Sequence, residues 1–130
     1  MAVDTPACPG FRAAGLAAGI KKTGDPDLAL IVADTPSVGA AVFTENRVKA
    51  APVILSMERL QRGRPRAVLI NSGGANACTG DEGIADARAL TGEVAGRLKI
   101  PEDSVLAAST GVIGQRLPVD RIARSLDSLV

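Results

Sequence analysis

The chain has 130 residues, room for one domain with its own core, and a folded unit of this size buries roughly 65–70% of its unfolded-chain surface. Apolar residues make up 46% and aromatics only 2%, Phe11 and Phe43, so the core must be built from Val, Ile, Leu and Ala. A net charge of +1, spread along the chain with neither a basic face nor stacking aromatics, argues against nucleic acid as a partner.

Met1-Ala-Val-Asp-Thr-Pro6 has no basic region followed by an apolar stretch, so no secretory signal is read there. Leu28-Ala-Leu-Ile-Val-Ala33 is a short apolar run after the turn-like Thr23-Gly-Asp-Pro-Asp27, which favours a buried strand. Gly39-Ala-Ala-Val-Phe-Thr44 is expected to be its hairpin partner. Pro52 suits a first helical position, Ile54, Met57 and Leu60 continue at helical spacing, and Gly63 closes that helix. The basic run Arg59-Leu-Gln-Arg-Gly-Arg-Pro-Arg66 reads as a solvated helix end and turn.

Arg66-Ala-Val-Leu-Ile-Asn71 is the next predicted strand. Thr79 and Glu82 have capping-box spacing, and Ile84, Ala87, Thr91, Val94 and Leu98 form a helical stripe that Pro101 ends. Ser104-Val-Leu-Ala-Ala-Ser-Thr110 reads as a strand, and Val119, Ile122, Ala123, Leu126, Leu129 and Val130 as a last helix with no stop signal. The elements describe a mixed α/β (α+β) unit spanning residues 1–130. No segment approaches the ~20 apolar residues of a membrane span. Cys8 and Cys78 match no zinc or redox spacing and read as reduced thiols in a cytoplasmic protein. Histidine is absent, which removes Ser-His-Asp, Cys-His and histidine-based metal sites from this chain.

Two loops could carry chemistry. Asn71-Ser-Gly-Gly-Ala-Asn-Ala-Cys-Thr-Gly80 joins a strand to a helix through residues small enough for close backbone approach. It lacks the Lys-Ser/Thr ending of a P-loop, so a structural turn and an active-site loop (Asn71, Ser72, Gly73, Asn76) both remain open. Ser109-Thr-Gly-Val-Ile-Gly114 reads first as a strand-end turn. Its alternative is an oxyanion device, with the Thr110 hydroxyl beside a Gly111 N–H that no side chain shields.

Gly10-Phe-Arg-Ala-Ala-Gly15, Gly19-Ile-Lys21, Asp27-Leu-Ala-Leu-Ile31, Val42-Phe-Thr-Glu-Asn46, Ala50-Ala-Pro-Val53 and the two loops occur in this order. In that arrangement the chain resembles the start of the ornithine acetyltransferase family, also called bifunctional glutamate N-acetyltransferase/amino-acid acetyltransferase. The resemblance runs from about Cys8 onward. It implies part of an αββα-type sandwich with the layering of N-terminal-nucleophile hydrolases. It also implies a precursor that cuts itself before a threonine, giving α and β chains that assemble as α2β2. The new terminal threonine takes acetyl from N2-acetylornithine and passes it to glutamate, its own α-amine serving as base. Some members also accept acetyl-CoA, as a substrate rather than a resident cofactor.

The family's oxyanion hole falls on Thr110 and Gly111, which turns the reading of that loop from turn to site. Gly74 stands where the family pattern has asparagine, a change a small loop residue accommodates. The nucleophilic threonine, the end of the α chain and the β chain lie beyond Val130 in the resemblance, so this chain alone is expected to be inactive. Such a lobe would expose the apolar face its missing layer covers. Two other readings compete with the transferase: a degenerate stand-alone lobe with a binding or assembly role, and a related aminopeptidase or amidohydrolase.

Overall fold

The computed structural model describes residues 8–130, so the reading of Met1–Pro6 lies outside the described residues. Four strands, β1 (Phe11–Leu16), β2 (Leu28–Ala33), β3 (Ala67–Gly74) and β4 (Val105–Val112), form one sheet in chain order. β1–β2 and β2–β3 are antiparallel, while β3–β4 is parallel. A parallel pair needs a long crossover, and α2 (Gly80–Leu98) provides it. The other helices are α1 (Ala51–Arg62), between β2 and β3, and α3 (Val119–Ser125), after β4.

The register puts Leu16, Leu28, Leu30, Val32, Ala67, Leu69 and Val105 on one sheet face. Leu90, Val94 and Ala95 of α2 and Ile122 of α3 complete the core there, as does Leu126 just beyond α3. Burying a leucine of this kind is worth about 1.5–3 kcal/mol, so this aliphatic layer carries the fold without aromatics.

Pleating alternates side chains, so the opposite face carries Phe11, Ala13, Ala29, Ile31, Val68, Ile70, Leu106 and Ala108. Phe11 is 45% exposed and Ile31 38%. The face is thus apolar, yet among the described residues no helix packs on it.

The expected hairpin partner of Leu28–Ala33 is corrected. Residues 39–44 form no strand, and Val42 is fully in solvent. Both edges of β2 are already taken, by β1 and β3, which leaves residues 39–44 no place beside it. The actual partner, β1, is built from weak strand formers, Phe-Arg-Ala-Ala-Gly-Leu, and is held by its pairing.

The capping box is also absent. Thr79 precedes α2 but makes no side-chain cap; its hydroxyl donates to Asn76 Oδ1 at 2.8 Å. α2 stops at Leu98, where Lys99 takes the left-handed conformation (φ 54°) ahead of Pro101. The last helix is shorter than its apolar stripe predicts. It passes into a 3-10 turn at Leu126–Ser128, and Val130 is exposed.

The isolated 130-residue chain should self-associate through the open face. Light scattering should report a mass above 13.2 kDa. Charging the face with Phe11→Lys and Ile31→Lys should lower that mass; a monodisperse wild-type monomer with a cooperative melt would contradict the reading.

Candidate functional site

β4 is an edge strand, and an edge must do something with its outward N–H and C=O groups. α1 lies along it. Ser56 Oγ accepts the Ala107 N–H at 3.1 Å and donates to the Ala107 carbonyl at 2.9 Å. Arg59 donates to the Val105 carbonyl at 2.5 Å and to Glu102 Oε1 at 2.9 Å. Arg59 is only 4% exposed, which corrects the reading of a solvated basic run at this residue. Burial pushes its guanidinium below the ordinary arginine value, and Glu102 pulls it partly back up.

Val105, Ala107, Ser109 and Gly111 share one orientation, because alternate residues of a strand turn their backbone groups to the same side. Residues of the other parity face β3, as the bond from Ala75 N–H to the Val112 carbonyl (2.9 Å) shows. The Gly111 N–H therefore points to the outer edge of β4, beyond the edge groups that Ser56 and Arg59 satisfy. Thr110 is exposed on the open sheet face, in register with Ser72. The hydroxyl and the N–H thus belong to one corner, where the open face meets the open edge.

Glycine is required at this corner. Gly73 and Gly111 are register partners, with φ of +113° and +128°, in a region L side chains rarely adopt. A Cβ on Gly111 would collide with the Gly73 backbone.

The two asparagines serve the loop itself. Asn71 is buried and its Nδ2 donates to the Gly74 carbonyl at 2.8 Å. Asn76 is fully buried, at φ +48°. It donates to the Gly83 carbonyl at 2.8 Å, accepts from Thr79, and its own carbonyl takes the Ala51 N–H at 3.0 Å. It thereby ties the loop to the starts of both α1 and α2. Gly73 lies at the Gly111 contact, and Ser72 lines a small cavity of about 170 Å³ with Gly15, Pro26, Ala29 and Ile70.

The segment after β4 is clamped to α2. Arg116 makes two bonds to the buried Asp86, at 2.9 and 2.6 Å, and this pairing raises the guanidinium's pKa. Neither Asp86 nor Arg116 was marked by the sequence, since they are 30 positions apart with no motif between them. Cys8 and Cys78 are free and exposed. No helix of the described residues is long and apolar enough to cross a membrane.

A mixed sheet with helices on one face carries a glycine-paired corner at the edge of β4. Comparisons with known proteins place the chain in a family. The ArgJ family model matches residues 12–130. The arginine biosynthesis bifunctional protein ArgJ of Geobacter sulfurreducens is 56% identical over 121 residues, covering 93% of this chain and 31% of the relative. Its namesake from Thermobifida fusca is 50% identical over 122 residues, covering 93% and 32%. The crystal structure of ornithine acetyltransferase complexed with ornithine from Mycobacterium tuberculosis superposes with a TM-score of 0.90 at 47% identity, over 97% of this chain and 68% of that one. The ArgJ structure from Bacillus halodurans also gives 0.90, at 38% identity, over 100% and 70%. The chain belongs to the ArgJ family. It spans about a third of the length of the curated relatives it matches.

Arg59→Met keeps the stem and removes the donors, leaving the Val105 carbonyl unpaired. The full-length variant should lose about 1–3 kcal/mol in denaturant unfolding. A loss below ~0.5 kcal/mol would mean water replaces the guanidinium at that edge.

Proposed function

We propose that the full-length protein moves an acetyl group from N2-acetylornithine to glutamate, and that residues 1–130 supply its oxyanion-binding corner. The observation carrying this reading is the Gly111 N–H, turned to the free edge of β4 beside the exposed Thr110 hydroxyl. Family membership supports the chemistry.

In this mechanism a threonine hydroxyl beyond Val130 attacks the acetyl carbonyl, its proton passing to the threonine's own α-amine. Negative charge gathers on the former carbonyl oxygen, where Thr110 Oγ and Gly111 N–H donate to it. The oxyanion collapses, the C–N bond breaks, and ornithine leaves with the proton as the free amine. Glutamate's amine then attacks the acetyl ester through the same corner and restores the threonine. Each donor of such a pair contributes about 2.7–4 kcal/mol of transition-state stabilisation. Acetyl-CoA enters, where it is accepted, as a second donor to the same threonine and not as a resident cofactor.

The open sheet face fits the same proposal. A second sheet from the remaining length covers Phe11, Ile31, Val68 and Ile70, giving the αββα sandwich. The threonine heads a β chain cut from the same precursor, and α and β assemble as α2β2.

Native mass spectrometry with N-terminal sequencing of the full-length protein should find a second chain beginning with threonine. The processed enzyme should form N-acetylglutamate from N2-acetylornithine. Thr110→Ala should lower kcat by about 10²–10³-fold with little loss of stability, because the side chain is exposed. A single unprocessed species without transfer activity would instead point to a binding or assembly lobe, and free acetate formed without glutamate to a hydrolase.

A further inference from the structure

The loop between β1 and β2 has no regular structure, yet one buried carboxylate fixes it. Asp27 is 3% exposed. Its Oδ1 accepts the Ala18 N–H at 2.7 Å, and its Oδ2 accepts those of Ile20 at 2.6 Å and Lys21 at 2.8 Å. Its backbone carbonyl accepts the Ser72 N–H at 2.8 Å, and its own N–H donates to the Leu16 carbonyl at 3.1 Å. One residue thus joins the loop, the end of β1 and the end of β3.

What the carboxylate holds presses on the site. A Cβ on Gly73 would lie 2.9 Å from Ile20 Cγ2 and 3.3 Å from Lys21 Cγ. On its other side Gly73 abuts Gly111, again with no space for a Cβ. The row Asp27, Ile20–Lys21, Gly73, Gly111 is therefore in contact from end to end. Its last two members have no side chains whose rotamers could absorb a displacement.

We infer that Asp27 is a positioning residue for the oxyanion corner, acting through Ile20 and Lys21 on Gly73 and so on Gly111. The catalytic half of this inference rests on the acetyl-transfer reading; the mechanical half does not. Charge-assisted bonds to backbone N–H groups are roughly twice as strong as neutral ones, which suits a carboxylate to hold a loop of this kind. Misplacing reacting groups by about 1 Å can lower a rate 10²-fold. An amide at residue 27 would set an NH2 against at least one of the three N–H groups and let the loop withdraw from Gly73.

The test is Asp27→Asn in the full-length protein, beside Leu30→Ala as a variant destabilised in the core away from the loop. At a temperature where both are folded, Asp27→Asn should lower kcat about 10–100-fold while the KM for N2-acetylornithine stays within about twofold. Leu30→Ala should keep its kcat despite a lower Tm. Hydrogen exchange should quicken at residues 109–114 in Asp27→Asn as well as at 17–27. An unchanged kcat, or faster exchange confined to 17–27, would overturn the inference. If wild type transfers no acetyl group, the functional reading fails, and exchange at 109–114 still decides the positioning claim. Should Asp27→Asn not fold, Ile20→Ala shortens the side chain against Gly73 while leaving Asp27 and its bonds in place, and it must move the same two readouts in the same direction, with Leu30→Ala again the control for lost core packing.

Discussion

An edge strand that runs parallel to its only neighbour leaves half its backbone groups facing outward, and the candidate site depends on how they are used. Along the first part of β4, Ser56 and Arg59 occupy them, so that stretch is sealed and α1 is fixed against it. Further on, the strand continues past those contacts, and the Gly111 N–H faces the outer edge where neither Ser56 nor Arg59 reaches. A donor held rigidly in a sheet but excluded from its hydrogen bonding is already oriented, and stabilising an oxyanion requires that property.

Helices fill only one side of the sheet, and the proposed chemistry belongs to the other. Thr110 and Ser72 project where no helix packs, while Asn71 and Asn76 turn inward and are consumed in shaping the loop. The division follows from pleating alone: adjacent residues of β3 serve opposite purposes. Arg116 and Asp86 then anchor the departing chain, so the end of β4 is held on both sides of the Thr-Gly pair.

Much of this was legible in the residues. Continuous aliphatic runs marked β2, β3 and β4, and Pro52 with Gly63 bracketed α1 almost to the residue. β1 was not legible, because Arg-Ala-Ala-Gly has no strand character until β2 offers it hydrogen bonds. Gly39–Thr44 misled for the converse reason, having strand composition while its expected partner β2 was paired on both sides. At the candidate site, Thr110 and Gly111 were singled out by the family resemblance, whereas Asp27 stood inside a turn-like string. Its role arises from three N–H groups gathered by a loop that sequence spacing does not describe. Arg59 was hidden likewise, since a basic run says nothing of which member faces the interior.

The strands lie across the sheet in the order in which they occur along the chain. Each can therefore add to an edge already present as the polypeptide leaves the ribosome, without waiting for a distant segment. In the longer relatives this lobe would reach its shape early, with Phe11 and Ile31 still bare while the rest is being translated. That interval is when exposed apolar surface invites wrong partners. Chaperone demand and expression yield should then track the speed of downstream translation more closely than the final stability of the fold.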